Sequence, residues 1–151
     1  MSTTPTERPV TSVVDLLQAA ELTGIRTYQV VGVRAAAEEE RADDTKQDLQ
    51  VMVKGDAGGL ETRVLMTVNT PEADLRADVG ALYTFRERLS VEKEIVAEFV
   101  EKVGVMAVFP FLRESILTTA TRLGVAPPVL GLLRAGQFHV TPPDADPPVV
   151  P

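Results

Sequence analysis

The stretch Met106-Ala-Val-Phe-Pro-Phe-Leu-Arg-Glu-Ser-Ile-Leu-Thr-Thr-Ala-Thr-Arg-Leu-Gly-Val-Ala-Pro-Pro-Val-Leu-Gly-Leu-Leu133 decides how this chain is read. An apolar approach leads to Pro110, which lacks the N–H that a first helical turn leaves unused and whose fixed φ suits the first helical position. Leu112, Ile116, Thr119, Ala120 and Leu123 then recur at helical spacing. Gly124 closes the helix, and Pro127-Pro128 forbid its continuation.

Working upstream, Ser90 reads as the cap of another helix. Glu92 and Glu94 favour its positive start, and Val91, Ile95, Phe99 and Val103 form its stripe before Gly104 breaks it. Before Ser90 the periodicity is two. Leu75, Ala77, Val79, Ala81, Tyr83 and Phe85 alternate with charged and polar residues over a span (Ala73 to Leu89) long enough to need a bulge, for which Gly80 is the expected place. Asp48–Lys54 and Leu60–Asn69 alternate on either side of Asp56-Ala-Gly-Gly59 and read as a hairpin. Ile25–Ala36 is a further strand, followed by a charged loop from Glu38 to Asp44. A first helix is expected over Ser12–Thr23, closed by Gly24. Strands followed by helices define an α+β fold: a four-stranded antiparallel sheet with helices packed on one face. Residues 10–140 form one domain, between a polar tail (1–9) and a proline-rich acidic tail (141–151).

A chain of 151 residues with 44% apolar and 25% charged residues supports a real core without cross-links. Aromatics make up only 5%, so the core falls to Val, Leu and Ala. There are no cysteines, which removes disulfides, thiolate metal sites and cysteine nucleophiles. The polar start has no signal-peptide pattern, and no apolar run reaches membrane-spanning length, so the expected location is cytoplasmic. A net charge of −7 repels phosphate backbones and argues against nucleic acid as a partner.

Catalysis finds no foothold. The single histidine, His139, has no partner set in the sequence, the carboxylates cluster in loops, and Gly58-Gly59 lacks the strand and helix of a phosphate loop. No metal or cofactor is expected. What stands out is surplus apolar residues. Val103–Leu117 and Val129–Val140 carry more than one sheet with two or three helices can cover, which points to an oligomer interface, a groove for apolar segments of other chains, or both. Ile95, Phe99, Val105, Met106, Phe109, Phe111, Leu132 and Phe138 are the candidate groove lining, since Phe buries large area and Met adapts its shape. Leu112, Ile116, Thr119 and Leu123 are the candidate oligomer contacts.

The block Phe109-Pro110-Phe111, Arg113-Glu114 and Ala126-Pro127 resembles the SecB family of export chaperones, in which this pattern opens the long helix and the loop after it. The resemblance implies an ATP-independent holdase, assembled as a homotetramer, that holds unfolded preproteins in hydrophobic grooves for delivery to SecA. The chain departs from that pattern in its extra helix before the first strand, in the helix-like Ser90–Val103, in Leu132–Phe138 where a lid helix would stand, and in Leu75-Arg76-Ala77 where an acidic docking pair would lie. These departures are similar to those of actinobacterial SecB-like chaperones, some of which protect an antitoxin in toxin–antitoxin systems. A non-chaperone oligomeric scaffold is the reading from another class.

Overall fold

A computed structural model describes residues 5–131 and 139–141. Its elements, in chain order, are β1 (Arg8–Pro9), α1 (Val13–Ala19), β2 (Ala20–Arg34), β3 (Lys46–Asp56), β4 (Gly59–Asn69), β5 (Ala73–Phe85), β6 (Leu89–Ser90), α2 (Lys93–Phe99), a π-helical turn (Val100–Gly104), α3 (Val105–Leu123) and β7 (His139–Thr141). The main sheet has the order β2-β5-β4-β3-β7. Its first four strands are antiparallel to their neighbours, as the α+β reading requires, and the three-residue β7 adds in parallel against Gln50–Met52 of β3.

One face of the sheet is covered by α2 and α3. Alternation puts Leu49, Val51 and Val53 of β3, Leu60, Val64, Met66 and Val68 of β4, and Leu75, Val79, Tyr83 and Phe85 of β5 under the helices, all buried. From above, Phe99, Val105, Val108, Leu112, Ile116 and Ala120 descend onto them. Tyr83 and Phe99 meet edge to face, with ring centroids 5.1 Å apart. The opposite sheet face is polar. There, Arg63 grips the buried carboxylate of Asp78 with two hydrogen bonds of 2.8 and 2.7 Å, its guanidinium lies 3.7 Å from the Tyr28 ring centroid, and the Tyr28 hydroxyl donates to Glu61 at 2.5 Å. Burial, then the hydrogen bond to Glu61, raises the Tyr28 pKa.

Several local expectations change. Ser12 caps α1 through its hydroxyl, but the helix stops at Ala19, and Gly24 lies inside β2. The bulges fall in β2, between Leu22 and Gly24 and between Thr27 and Gln29, rather than at Gly80. Gly80 keeps its register, and a side chain there would meet the Glu61 carboxylate and the Tyr28 ring. The Tyr28 bulge also reverses the alternation along β2: Thr27 opposes Val79, while Val30 and Gly32 oppose Ala77 and Leu75. Ser90 does not cap a helix. With Leu89 it pairs in parallel with Arg8–Pro9, so those two residues leave the expected free tail; Arg8 reaches Asp15 and Glu87, and holds the Asp15 carboxyl below its usual pKa.

The largest change concerns the opening stretch. The helix does not begin at Pro110, and Gly104 does not break it. Lys93–Leu123 runs without interruption through the π turn, with Pro110 inside. The lost bond to the Met106 carbonyl falls on the solvent side, where both Met106 and Pro110 are exposed and water can replace the missing donor. Gly104 serves close packing instead: a Cβ built on it would lie 2.5 Å from the Thr62 hydroxyl oxygen. The helix end is as read, with Gly124 at φ 71° and the Arg34 guanidinium donating to the Leu123 carbonyl.

Candidate functional site

The sequence-derived groove residues do not share one surface. Phe99 and Val105 have no exposure and Phe109 has 9%, so they are core residues of this chain and offer a client no free area. They lie on the face that α2 and α3 turn toward the sheet. Ile95 is half-buried against the core. Met106 and Phe111 are exposed, at 53% and 45%. Leu132 and Phe138 lie outside the described residues. Of the expected oligomer contacts, Leu112 and Ile116 are fully buried under α3 and unavailable to another chain. Thr119 and Leu123 are half-buried above Gly32 of β2, where a side chain would collide with both. The hydroxyls of Thr118, Thr119 and Thr121 are used within the helix, on Glu114 and on the Ser115 and Leu117 carbonyls.

Two surfaces remain open. The first is the β2 edge. This strand of fifteen residues has β5 on one side and, among the described residues, no strand on the other. It exposes Leu22, Val30, Val31 and Val33. Ser115 and Phe111 precede Thr119 by four and eight residues, toward the flank of α3 that meets Gly32 of β2 at Thr119 and Leu123.

The second is a cavity of about 300 Å³ at the hairpin end of the sheet, between the β3–β4 turn and the start of α2. Val53, Leu60, Phe85, Leu89, Val91 and Val96 supply apolar wall, and Glu7, Asp56 and Lys93 supply charge. The hairpin sets its floor. The Asp56 carboxylate accepts from the Gly58 amide at 2.8 Å, and the Gly58 and Ala57 carbonyls accept from the Phe85 and Leu89 amides, so the turn is tied to the crossing segment. Sequence reading missed this cavity because its residues come from five separate elements, β3, β4, β5, β6 and α2. The one available signal was Val91 and Val96, apolar on either side of a charged first helical turn. A polar recess elsewhere, at Glu39–Asp44, is closed by Arg41, which donates to the Thr70 and Ala73 carbonyls and pairs with Asp74. Among the described residues no group of three or more His, Asp or Glu is placed to hold a metal ion, and no helix is long and apolar enough to cross a membrane.

Four antiparallel strands in the order β2-β5-β4-β3, roofed on one face by a long helix, with an open edge at β2 and a recess of mixed lining at the hairpin end, define an α+β protein. No protein-family model matches the chain. It is 36% identical over 127 residues, 84% of each chain, to the SecB-like chaperone SmegB of Mycolicibacterium smegmatis. Its fold matches that of the Mycobacterium tuberculosis Rv1957 SecB-like chaperone, solved in complex with a ChAD peptide from the Rv1956 HigA1 antitoxin, with a TM-score of 0.67 and 18% identity over 80% of this chain and 92% of that one. The chain belongs to the SecB-like chaperones.

Proposed function

We propose that this protein is an ATP-independent holdase that binds non-native polypeptide segments on apolar surface and releases them unchanged. Kinship with a SecB-like chaperone along 84% of the chain carries the reading. The cavity beside α2 adds physical support, because a concave apolar wall with charge at its rim suits an extended segment with alternating apolar side chains. Val91 and Val96, half-buried at its wall, are the proposed lining, joined on the outside of the helix layer by Met106 and Phe111. No step of holding requires chemistry, so the protein acts in this reading as a binder and not an enzyme, and its working place is the cytoplasm. Light scattering of an aggregating client without nucleotide tests this. Equimolar protein is expected to delay aggregation; no delay at several-fold excess refutes it.

A second reading, a chaperone dedicated to one antitoxin, is favoured by the antitoxin peptide seated on the structural neighbour. It is separated from a general export role, with preproteins as clients and SecA as receiver, by comparing affinities. An antitoxin-dedicated chaperone holds its antitoxin far more tightly than unrelated unfolded preproteins. A general holdase does not discriminate.

Self-assembly completes the proposal. A strand of this length with β5 on one side and, among the described residues, an open edge on the other invites pairing with another chain, and Val30, Val31 and Val33 are exposed on it. We place the homo-oligomer contact on this edge and the adjacent flank of α3, at Thr119 and Leu123, with a tetramer as the expected state. A monomer at micromolar concentration, by light scattering during gel filtration, contradicts it.

A further inference from the structure

Two hydroxyl groups under the helix layer have no hydrogen-bond partner among the described residues: Thr62 Oγ1 and the Tyr83 phenol. Thr62 has no exposure and Tyr83 only 7%. Buried polar groups are rarely left unpaired, and these two are neighbours. Thr62 pairs with Ala81 and Leu60 with Tyr83, so the two side chains sit diagonally on one face of β4 and β5. One short stretch of helix covers both. Gly104 of the π turn lies over Thr62, and Phe99 of α2 stands edge-on to Tyr83. That stretch is held to the sheet by few residues. In α2 only Phe99 is buried, whereas α3 buries Val105, Val108, Phe109, Leu112, Ile116 and Ala120. Both of its ends are joints. Glu92 is extended, at φ −68° and ψ 149°, and gives α2 no side-chain cap. At the other end the Val105 amide donates to the Val100 carbonyl across the π turn, a geometry at which helices bend.

We propose that Lys93–Gly104 is a strap that lifts from the sheet about these two joints and opens the recess at the hairpin end into a groove for an extended segment of client. In the closed form the deep wall of Leu60, Tyr83 and Phe85 is only 6–8% exposed, so a client reaches little of it. Lifting bares that wall and the Phe99 ring together. It also lets both dry hydroxyls bond to water or to a client's main chain. Apolar side chains and main-chain partners are what an extended non-native segment offers. Packing of Phe99 on Tyr83 favours the closed form, and the two unpaired hydroxyls oppose it. A client that binds only the open form shifts this balance toward it. The opening stands on the geometry alone; its use by clients rests on the holdase reading.

The native chain has no cysteine, so a single introduced thiol reports cleanly. In the full chain, Thr62→Cys places a thiol under the strap, while Val68→Cys and Ala120→Cys place equally unexposed thiols between α3 and the sheet. Reaction with a thiol-specific dye is followed in native buffer and in low urea. Thr62→Cys is expected to react at least about tenfold faster than either control, at a rate that low urea barely changes, as local opening requires. Equal rates with equal urea dependence overturn the opening, because all three sites are then reached only by global unfolding. Gly104→Ala forces the π turn off Thr62, where the new Cβ would lie 2.5 Å from the hydroxyl oxygen. It is expected to raise the open fraction, and with it the affinity for fluorescein-labelled unfolded casein, by about tenfold. Fast reaction of Thr62→Cys with casein affinity unchanged by Gly104→Ala overturns the client role of the strap and shows that clients bind elsewhere. No capture of casein by either chain defeats the holdase reading, while the thiol rates still decide the opening.

Discussion

Replacing Gly104 by alanine tests the helix–sheet packing that shapes this molecule. The backbone at Gly104 is ordinary right-handed helix, φ −60° and ψ −50°, so conformation raises no objection to a side chain. On propensity alone the change gains up to about 1 kcal/mol. Packing opposes it: the new Cβ would sit 2.5 Å from Thr62 Oγ1, 3.0 Å from its Cγ2 and 3.1 Å from its Cβ. Parting a packed helix from a sheet costs about 1–3 kcal/mol, so Gly104→Ala is expected to be about 1–2 kcal/mol less stable than the parent. Thr62→Ala removes two of the three close atoms. It also removes a buried hydroxyl that has no hydrogen-bond partner among the described residues, a desolvation relief of about 1–3 kcal/mol that offsets the loss of a methyl group worth about 1 kcal/mol. The double variant is expected to return to parent stability or above, with a coupling of about 1–2 kcal/mol in the double-mutant cycle. Urea unfolding followed by far-ultraviolet circular dichroism measures all four chains. A Gly104→Ala protein as stable as the parent, or a double variant no better than the single, refutes the close approach of α3 to β4.

Three further outcomes follow from the same geometry. Phe99→Ala, at a ring with no exposure, is expected to cost about 3–5 kcal/mol, whereas Phe111→Ala, at 45% exposure, costs about 1 kcal/mol or less in the isolated chain and weakens self-assembly instead; equal losses of stability would falsify the division into core and surface. Arg63→Ala leaves the Asp78 carboxylate, 2% exposed, without its bidentate partner and is expected to cost about 3 kcal/mol in chemical denaturation, while Arg8→Ala, at an exposed pair, leaves the midpoint almost unmoved. Burial raises the Tyr83 pKa, and its hydroxyl has no partner among the described residues, so the folded state keeps a proton that the unfolded chain loses near pH 10. Stability from this group is therefore complete below about pH 10 and falls as pH rises through the folded pKa. Tyr83→Phe should match or exceed the parent at neutral pH and lose less at high pH; a steeper alkaline loss in the variant counts against the assignment.

The sheet was legible because it obeys one rule over long spans. β3, β4 and β5 each put every second residue in the core under the helices, although Leu65, Asp78 and Gly80 are buried on the other face as well, and Asp56-Ala-Gly-Gly59 marks the turn. β2 was harder, because an extra residue at Tyr28 reverses its alternation halfway along, and the contacts Tyr28 makes there, with Glu61 and Arg63, come from another strand. The helix layer shows where local signals mislead. Pro110 and Gly104 are strong breakers in isolation, yet tertiary packing overrides both, one by facing solvent and the other by replacing a side chain with contact to Thr62. The groove residues were read from the apolar surplus around Val103–Leu117 and Val129–Val140, with Ile95 and Phe99 ahead of it, but such a surplus states only that a face is apolar. Whether the sheet or a client covers it depends on the turn of the helix through Val100–Gly104, where the π geometry shifts the spacing. The cavity at the hairpin was out of reach of periodicity because Val53, Leu60, Phe85 and Val96 meet only in three dimensions.

Sedimentation of the protein with a labelled client, diluted from urea and in the absence of nucleotide, tests the chaperone account most directly. The account predicts a stable complex with the non-native client, no complex with the same client once folded, and weaker capture after apolar wall residues of the cavity such as Val91 are replaced by Asp. Equal binding of folded and unfolded client, or none of either, contradicts it.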